Sequence, residues 1–129
     1  MKAVAQALYQ FLSDFGLHAY TADTVPEDVE APYLVYPLTE PEWNQKASFY
    51  IQGWYRSTSN AVLTAKADEI VSAIGTGRTI QTNSGYLVLY PESPLIQFVT
   101  DGDFRSFYIN LSINVYQMPG AFPENNTPG

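Results

Sequence analysis

The chain has 129 residues, enough for one domain with its own hydrophobic core. Its net charge of −7 argues against binding to nucleic acids or anionic membranes, which needs clustered Lys and Arg. Cysteine is absent, which excludes disulfides, thiolate metal sites and a cysteine nucleophile. Charged residues make up only 15% of the chain, and a shortage of charge is typical of interface cores. A soluble domain with a hydroxyl-rich sheet explains the same composition.

The N-terminal half predicts a helix followed by two strands. Apolar residues recur at helical spacing over 2–15, and Gly16 ends this helix. Leu17–Tyr20 predicts a short extended piece, and an acidic loop follows over 21–31. The compact apolar run Tyr33–Tyr36 then predicts a strand.

A longer strand and a second helix come next. Lys46–Arg56 alternates between two faces with a period of two, which predicts a strand, and Thr39–Gln45 connects it to the strand before. Ser57–Asn60 is rich in N-cap residues, and a helix over about residues 59–74 follows. We expect Gly75 and Gly77 to end it.

The last third predicts a β-meander. Asn83–Gly85 and Pro91–Pro94 are the expected connections, and Asp101-Gly102 is a type I′ hairpin signal. The expected strands are Arg78–Thr82, Tyr86–Tyr90, Leu95–Thr100 and Phe104–Gln117. From Met118 the chain is rich in Pro, Gly and Asn.

The predicted fold class is therefore α+β. We expect a mixed or antiparallel β-sheet with two amphipathic helices packed on one face, and a C-terminal β-meander that ends in a long final hairpin. Residues 1–117 are expected to form a single domain, and residues 118–129 a flexible tail.

The final strand, Phe104–Gln117, is unusually long for a small domain. Alternate residues form a clean apolar face, while the opposite face is polar and carries no charge. Exposed strands usually carry charges that block edge pairing, and Arg105 is the only charge here. We expect the domain to lack enough partner strand to cover this length, which favours a subunit contact. A central strand with a hydrated outer face is the alternative.

Candidate chemistry is sparse. His18 is the single histidine and has no evident partner for a triad or a metal site. Hairpin turn chemistry accounts for Asp101 and Asp103. We predict no catalytic residue, no metal ligand and no cofactor. A small ligand-binding domain or enzyme that uses an aromatic pocket near Trp54 remains an alternative.

Three segments together carry a resemblance to a known family. They are Ala31–Tyr36, the strand end Ile51–Ser57 and the helix Ala61–Ile74, set between a short N-terminal helix and a closing meander. In this order of elements, over about residues 1–117, the chain resembles the tail terminator or tail completion proteins, the head–tail joining proteins of long-tailed bacteriophages. Other head–tail connectors, minor capsid proteins and tail tube components are similar enough to remain alternatives.

The resemblance implies a structural virion protein and not an enzyme. Such a protein forms a ring, commonly a hexamer, that caps the tail tube, ends tube polymerisation and joins the head connector. The implied partners are other copies of the chain, the tail tube protein and the head-completion or connector protein, with no membrane. DNA passes through without specific binding, and the acidity of the chain suits that passage.

The implied location is the virion, after assembly in the host cytoplasm. A ring of identical subunits needs a heterologous interface that closes. We expect that interface to use the uncharged faces of the two long strands. The candidate residues are Tyr50, Gln52, Trp54, Tyr108, Asn110, Ser112, Asn114 and Tyr116.

Overall fold

The computed structural model describes residues 2–37 and 45–117, and it contains two helices and six strands there. The elements are α1 Lys2–Ser13, β1 His18–Thr21, β2 Tyr33–Tyr36, β3 Lys46–Arg56, α2 Ala61–Ile74, β4 Arg78–Thr82, β5 Gly85–Asp101 and β6 Phe104–Gln117. The predicted α+β class is confirmed. Most of the predicted Thr39–Gln45 connection and the whole predicted tail 118–129 lie outside the described residues.

The six strands form one mixed sheet in the order β1-β2-β3-β6-β5-β4. β1 and β2 are parallel, and all other neighbours are antiparallel. The predicted meander is β4-β5-β6, in which consecutive strands are neighbours. β3 pairs with β6 over its full length, from Lys46↔Asn114 to Arg56↔Phe104. This pairing joins the N-terminal strands to the meander.

Both helices pack on one face of the sheet and bury the core there. α2 contacts β3, β5 and β6, whereas α1 contacts the two edge strands β1 and β4. The sheet therefore curls into a half-barrel around its helices. The most deeply buried side chains include Leu8, Leu12, Leu34, Ile51, Leu63, Ile70, Leu87, Leu89, Phe107, Ile109 and Ile113.

One close approach in the core requires glycine. Gly53 lies opposite Phe107 in the β3–β6 register. A Cβ atom added at Gly53 would stand 2.3 Å from the Cε2 atom of the Phe107 ring. The ring therefore occupies the space that any other residue at position 53 would need, and it is fully buried there.

The expected loop Pro91–Pro94 is not a loop between two strands. β5 runs continuously from Gly85 to Asp101, and the register to β6 shifts between Pro91 and Ile96. The interpretation as two strands was wrong because β6 is long enough to pair with both halves of β5. Proline cannot donate a ladder hydrogen bond, and here Pro91 borders the bulge and Pro94 lies within it, without ending the strand.

Two element boundaries also differ from their predictions. Asp101 pairs with Phe104, so the hairpin turn is formed by Gly102 and Asp103, one residue later than expected. Gly102 takes a positive φ of 59°, which is the reason for a glycine there. α2 begins at Ala61, whose backbone amide donates a hydrogen bond to the side-chain hydroxyl of Ser59. The side chain of Asn60, at the N-cap position, makes no capping hydrogen bond.

Candidate assembly surface

The sheet face opposite the helices, termed the open face, is built by alternate residues of every strand. Directly opposed residues share a face, so the registers assign each side chain. All eight residues predicted for a subunit interface lie on the open face, because both long strands alternate with a period of two. They are Tyr50, Gln52 and Trp54 on β3, with Tyr108, Asn110, Ser112, Asn114 and Tyr116 on β6.

Aromatic rings occupy much of the open face. Seven of the ten tyrosines point to it, and neighbouring strands bring several into contact. Tyr86 and Tyr116 stack with centroids 4.9 Å apart, and the rings of Tyr50 and Tyr108 are 5.6 Å apart. These pairs give the face an amphipathic surface that loses little conformational entropy on contact.

Polar groups beneath the rings are shielded from water. Ser106 is fully buried, and it lies opposite Trp54 in the register. Within the described ranges, the hydroxyls of Ser106 and Ser112 and the Oδ1 atom of Asn114 are buried and make no protein hydrogen bond. Small side chains in these positions leave room for the larger rings beside them. The unmet hydrogen bonds cost stability, since buried polar groups are normally paired.

Hydrogen bonds hold the polar residues of β6 in place. Asn110 donates through Nδ2 to the carbonyl of Pro94 at 2.7 Å and to Oε1 of Gln97 at 2.9 Å. The first bond attaches the bulge of β5 to β6, and the second joins the two strands just beyond the bulge. Asn114 donates through Nδ2 to the hydroxyl of Tyr116 at 2.9 Å. These hydrogen bonds fix the orientation of both asparagine side chains.

The open face carries little charge at neutral pH. Desolvation, together with the neighbouring Tyr116, raises the pKa of Tyr90, and desolvation raises the pKa of Tyr33 as well. Both hydroxyls therefore stay neutral. Lys46 lies at one end of the face with Glu92 3.9 Å away, and Arg56 lies at the other end, over the ring of Phe104. The surface between these ends is uncharged, although the whole chain has a charge of −7.

From Phe104 to Asn114, β6 has a neighbouring strand on both sides, which corrects the expectation of missing partner strand. It pairs with β3 from Phe104 to Asn114 and with β5 from Phe104 to Gln117. The neighbours of β6 are long as well, since β3 has 11 residues and β5 has 17. The length of β5 was not expected, because its two halves were predicted as separate strands. Over Phe104–Asn114, β6 therefore offers a face and not an edge.

The strand registers keep His18 apart from Ser106, a buried serine on the same face of the sheet. The register places His18, Tyr33, Trp54 and Ser106 in one row across four strands. Neighbouring strands are about 4.8 Å apart, so about 14 Å separates His18 from Ser106. Proton transfer needs about 3 Å. No cluster of three metal-ligating side chains occurs in the part of the chain that the structure describes.

A groove of about 580 Å³ lies between α1 and β4, and it is lined by residues such as Phe11, Asp14 and Arg78. Trp54 does not line it, so this groove is not the aromatic pocket suggested as an alternative from the sequence. The guanidinium of Arg78 lies 5.2 Å from the centroid of the Phe11 ring and donates to the carbonyl of Ala73. These contacts are structural ones between elements.

The outer rim of the open face was not predictable from the alternation of the two long strands. Tyr20, Tyr33, Tyr86 and Tyr90 belong to it through the registers of β1, β2 and β5. Their strands are short or lack clean alternation, so no face could be assigned from the pattern alone. The abundance of tyrosine in the composition was the one available signal.

Comparison with protein-family profiles gave no match, and a search of curated protein sequences found no significant relative. In the described residues, neither helix has the length and apolar character needed to cross a membrane.

Proposed function

We propose that this chain is a structural virion protein, a tail terminator that caps the tail tube of a long-tailed bacteriophage as a ring. The ring ends tube polymerisation and forms the joint to the head connector. The subunits are identical copies, and a hexamer is the expected number. The observation that carries the proposal is the uncharged, tyrosine-rich open face on a chain whose net charge is −7.

Charge supports this assignment of the face. Copies that each carry −7 repel one another, and the repulsion is weakest where both contacting surfaces are neutral. Aromatic residues are enriched and charges depleted at the centres of protein interfaces. The open face has that composition, and its polar groups are already ordered by hydrogen bonds such as Asn114 to Tyr116.

The resemblance to tail terminator proteins in the order of elements is the reason for proposing a ring on the tail tube in particular. An N-terminal helix, a strand pair, a second helix and a closing meander are the pattern on which the family assignment depends. The acidity of the chain fits a ring through which DNA passes, because a negative lumen does not retain phosphate.

The test is electron microscopy of the purified chain mixed with tail tubes assembled from the tube protein of the same phage. We expect a discrete ring at one end of each tube, and tubes that no longer elongate. Unlimited polymers of the chain would identify a tube subunit instead. A strict monomer that never binds the tube would refute the proposal.

Two variants with the same added charge, one on the open face and one on α1, test the role of the open face. Tyr108 lies on that face, whereas Tyr9 is 51% exposed on α1. Tyr108→Asp should abolish ring formation or tube capping, and Tyr9→Asp should leave both intact, although the two variants gain the same charge. Thermal unfolding of both variants checks that each one is folded.

A further inference from the structure

Part of β5 has an unpaired edge, although β5 is not an outermost strand of the sheet. β4 pairs with β5 only between Gly85 and Leu89. Among the described residues, nothing pairs with β5 beyond Pro91 on the side away from β6. The segment from Leu95 to Thr100 therefore offers unused backbone donors and acceptors, although β5 is not the last strand of the sheet.

This free edge lacks the features that normally block strand addition. Natural edges are protected by charges, especially Lys, or by proline. Leu95–Thr100 contains no ionisable residue and no proline. Phe98 and Val99 are 43% and 44% exposed, one on each face of the strand. Such a strand is a site for pairing with another chain.

A second edge of the sheet, that of β1, lies at the opposite end of the same row. Across the sheet, the registers align His18 of β1, Tyr33, Trp54, Ser106 and Val99 of β5. Within 2–37 and 45–117, β1 has β2 as its only partner strand. The row is thus open at both ends, and neither end carries a Lys or Arg. By contrast, the free edge of β4 begins with Arg78.

We propose that the β5 edge, Leu95–Thr100, pairs with the β1 edge, His18–Thr21, of a second copy of this chain. This inference rests on the proposed ring, because head-to-tail contact between two different surfaces is what a closed ring requires. β5 and β1 run in opposite directions within one copy. Around a ring axis that lies along the strands, the junction is therefore antiparallel, the more stable form of pairing.

A second copy fits this edge better than a charged partner. Both edges are neutral, so two acidic chains meet where their repulsion is smallest. The two carboxylates of the hairpin, Asp101 and Asp103, lie beyond the paired segment.

The first experiment adds one lysine to the edge. Val99→Lys should weaken self-association at least tenfold, measured by analytical ultracentrifugation over a concentration series with and without tail tubes. Val62 is 61% exposed on α2, and Val62→Lys is the control with the same charge change. Its association should stay within twofold of the wild type. Equal thermal stability of both variants shows that folding is unchanged.

The second experiment uses the absence of native cysteine. Val99→Cys combined with His18→Cys or Tyr20→Cys places thiols on the same face of the two edges. Oxidation should give a ladder of covalent oligomers that ends at the ring, whereas each single-cysteine chain should stay uncrosslinked. A covalent dimer of Val99→Cys alone would show β5 paired with β5 and would overturn the inference.

Two outcomes separate this inference from the proposed function. Rings that assemble normally with Val99→Lys would overturn the edge pairing and leave the tail terminator in place. Loss of tube capping by Val99→Lys with unchanged self-association would assign the edge to the tube protein, and would also overturn it. A wild-type chain that neither associates nor binds tubes refutes both.

Discussion

Replacing Gly53 by alanine tests the packing at the centre of the sheet. The new Cβ atom would lie 2.3 Å from Cε2 and 2.4 Å from Cζ of the Phe107 ring. Carbon atoms pack at about 3.5–4 Å, so the ring or the strand has to move by more than about 1 Å. Phe107 is fully buried in the core.

Overpacking of a core costs about 1–3 kcal/mol, and the size of this overlap places Gly53→Ala near the top of that range. We expect a loss of about 3 kcal/mol in the free energy of unfolding. At about 4 °C per kcal/mol for a domain of this size, the melting temperature falls by about 12 °C. Urea unfolding followed by circular dichroism, at one fixed protein concentration, measures the change.

Two further variants make this prediction specific. Gly77→Ala is the control, because its Cβ atom would meet the Tyr90 ring at an ordinary 3.5 Å. Phe107→Leu should relieve the overlap, so the double variant with Gly53→Ala should lose at least about 1 kcal/mol less than the sum of the two single losses. A loss below about 0.5 kcal/mol for Gly53→Ala, or strictly additive losses, would refute the reasoning.

Two other predictions concern the bulge and the tyrosines. Asn110→Leu removes one hydrogen bond to the β5 bulge and one to Gln97, and should cost about 1–2 kcal/mol, with faster amide exchange at Glu92, Ser93 and Leu95. Asn83→Leu, in an exposed turn, should change neither the stability nor the exchange. Burial raises the pKa of Tyr36 and Tyr55 above the ordinary 10.0, so these tyrosines ionise at lower pH in the unfolded chain than in the folded one. Their contribution to the free energy of unfolding should therefore be fully present below pH 10 and should fall as the pH rises further. Tyr36→Phe should flatten this fall in urea unfolding measured from pH 8 to 11, and an unchanged slope would contradict the assignment.

Period-two alternation was sufficient to predict which residues share the open face on β3 and β6. The side chains of a strand alternate strictly, so the pattern fixes a face once one member is placed. It does not fix neighbours. The pairing of β3 with β6, and the parallel pairing of β1 with β2, depend on how the chain closes in three dimensions. The free edge of β5 was invisible for the same reason.

Proline caused the largest error. Pro91 and Pro94 were interpreted as a connection because proline removes a ladder donor. In the structure β6 continues past them on the other side, so β5 continues as well and only bulges. The long partner strand β6 outweighed the local tendency of proline to end a strand. The residues of β5 alone carry no information about the length of that partner.

The β3–β6 pairing also determines when the sheet can form during synthesis. β3 leaves the ribosome well before β6, with α2, β4 and β5 made in between. Until Phe104 and the residues after it emerge, β1-β2-β3 and β4-β5 are two separate sheets with no strand to connect them. Such distant pairing slows folding. A nascent chain cut short before Phe104 would hold two unjoined halves, so the six-stranded sheet cannot form until β6 has been made.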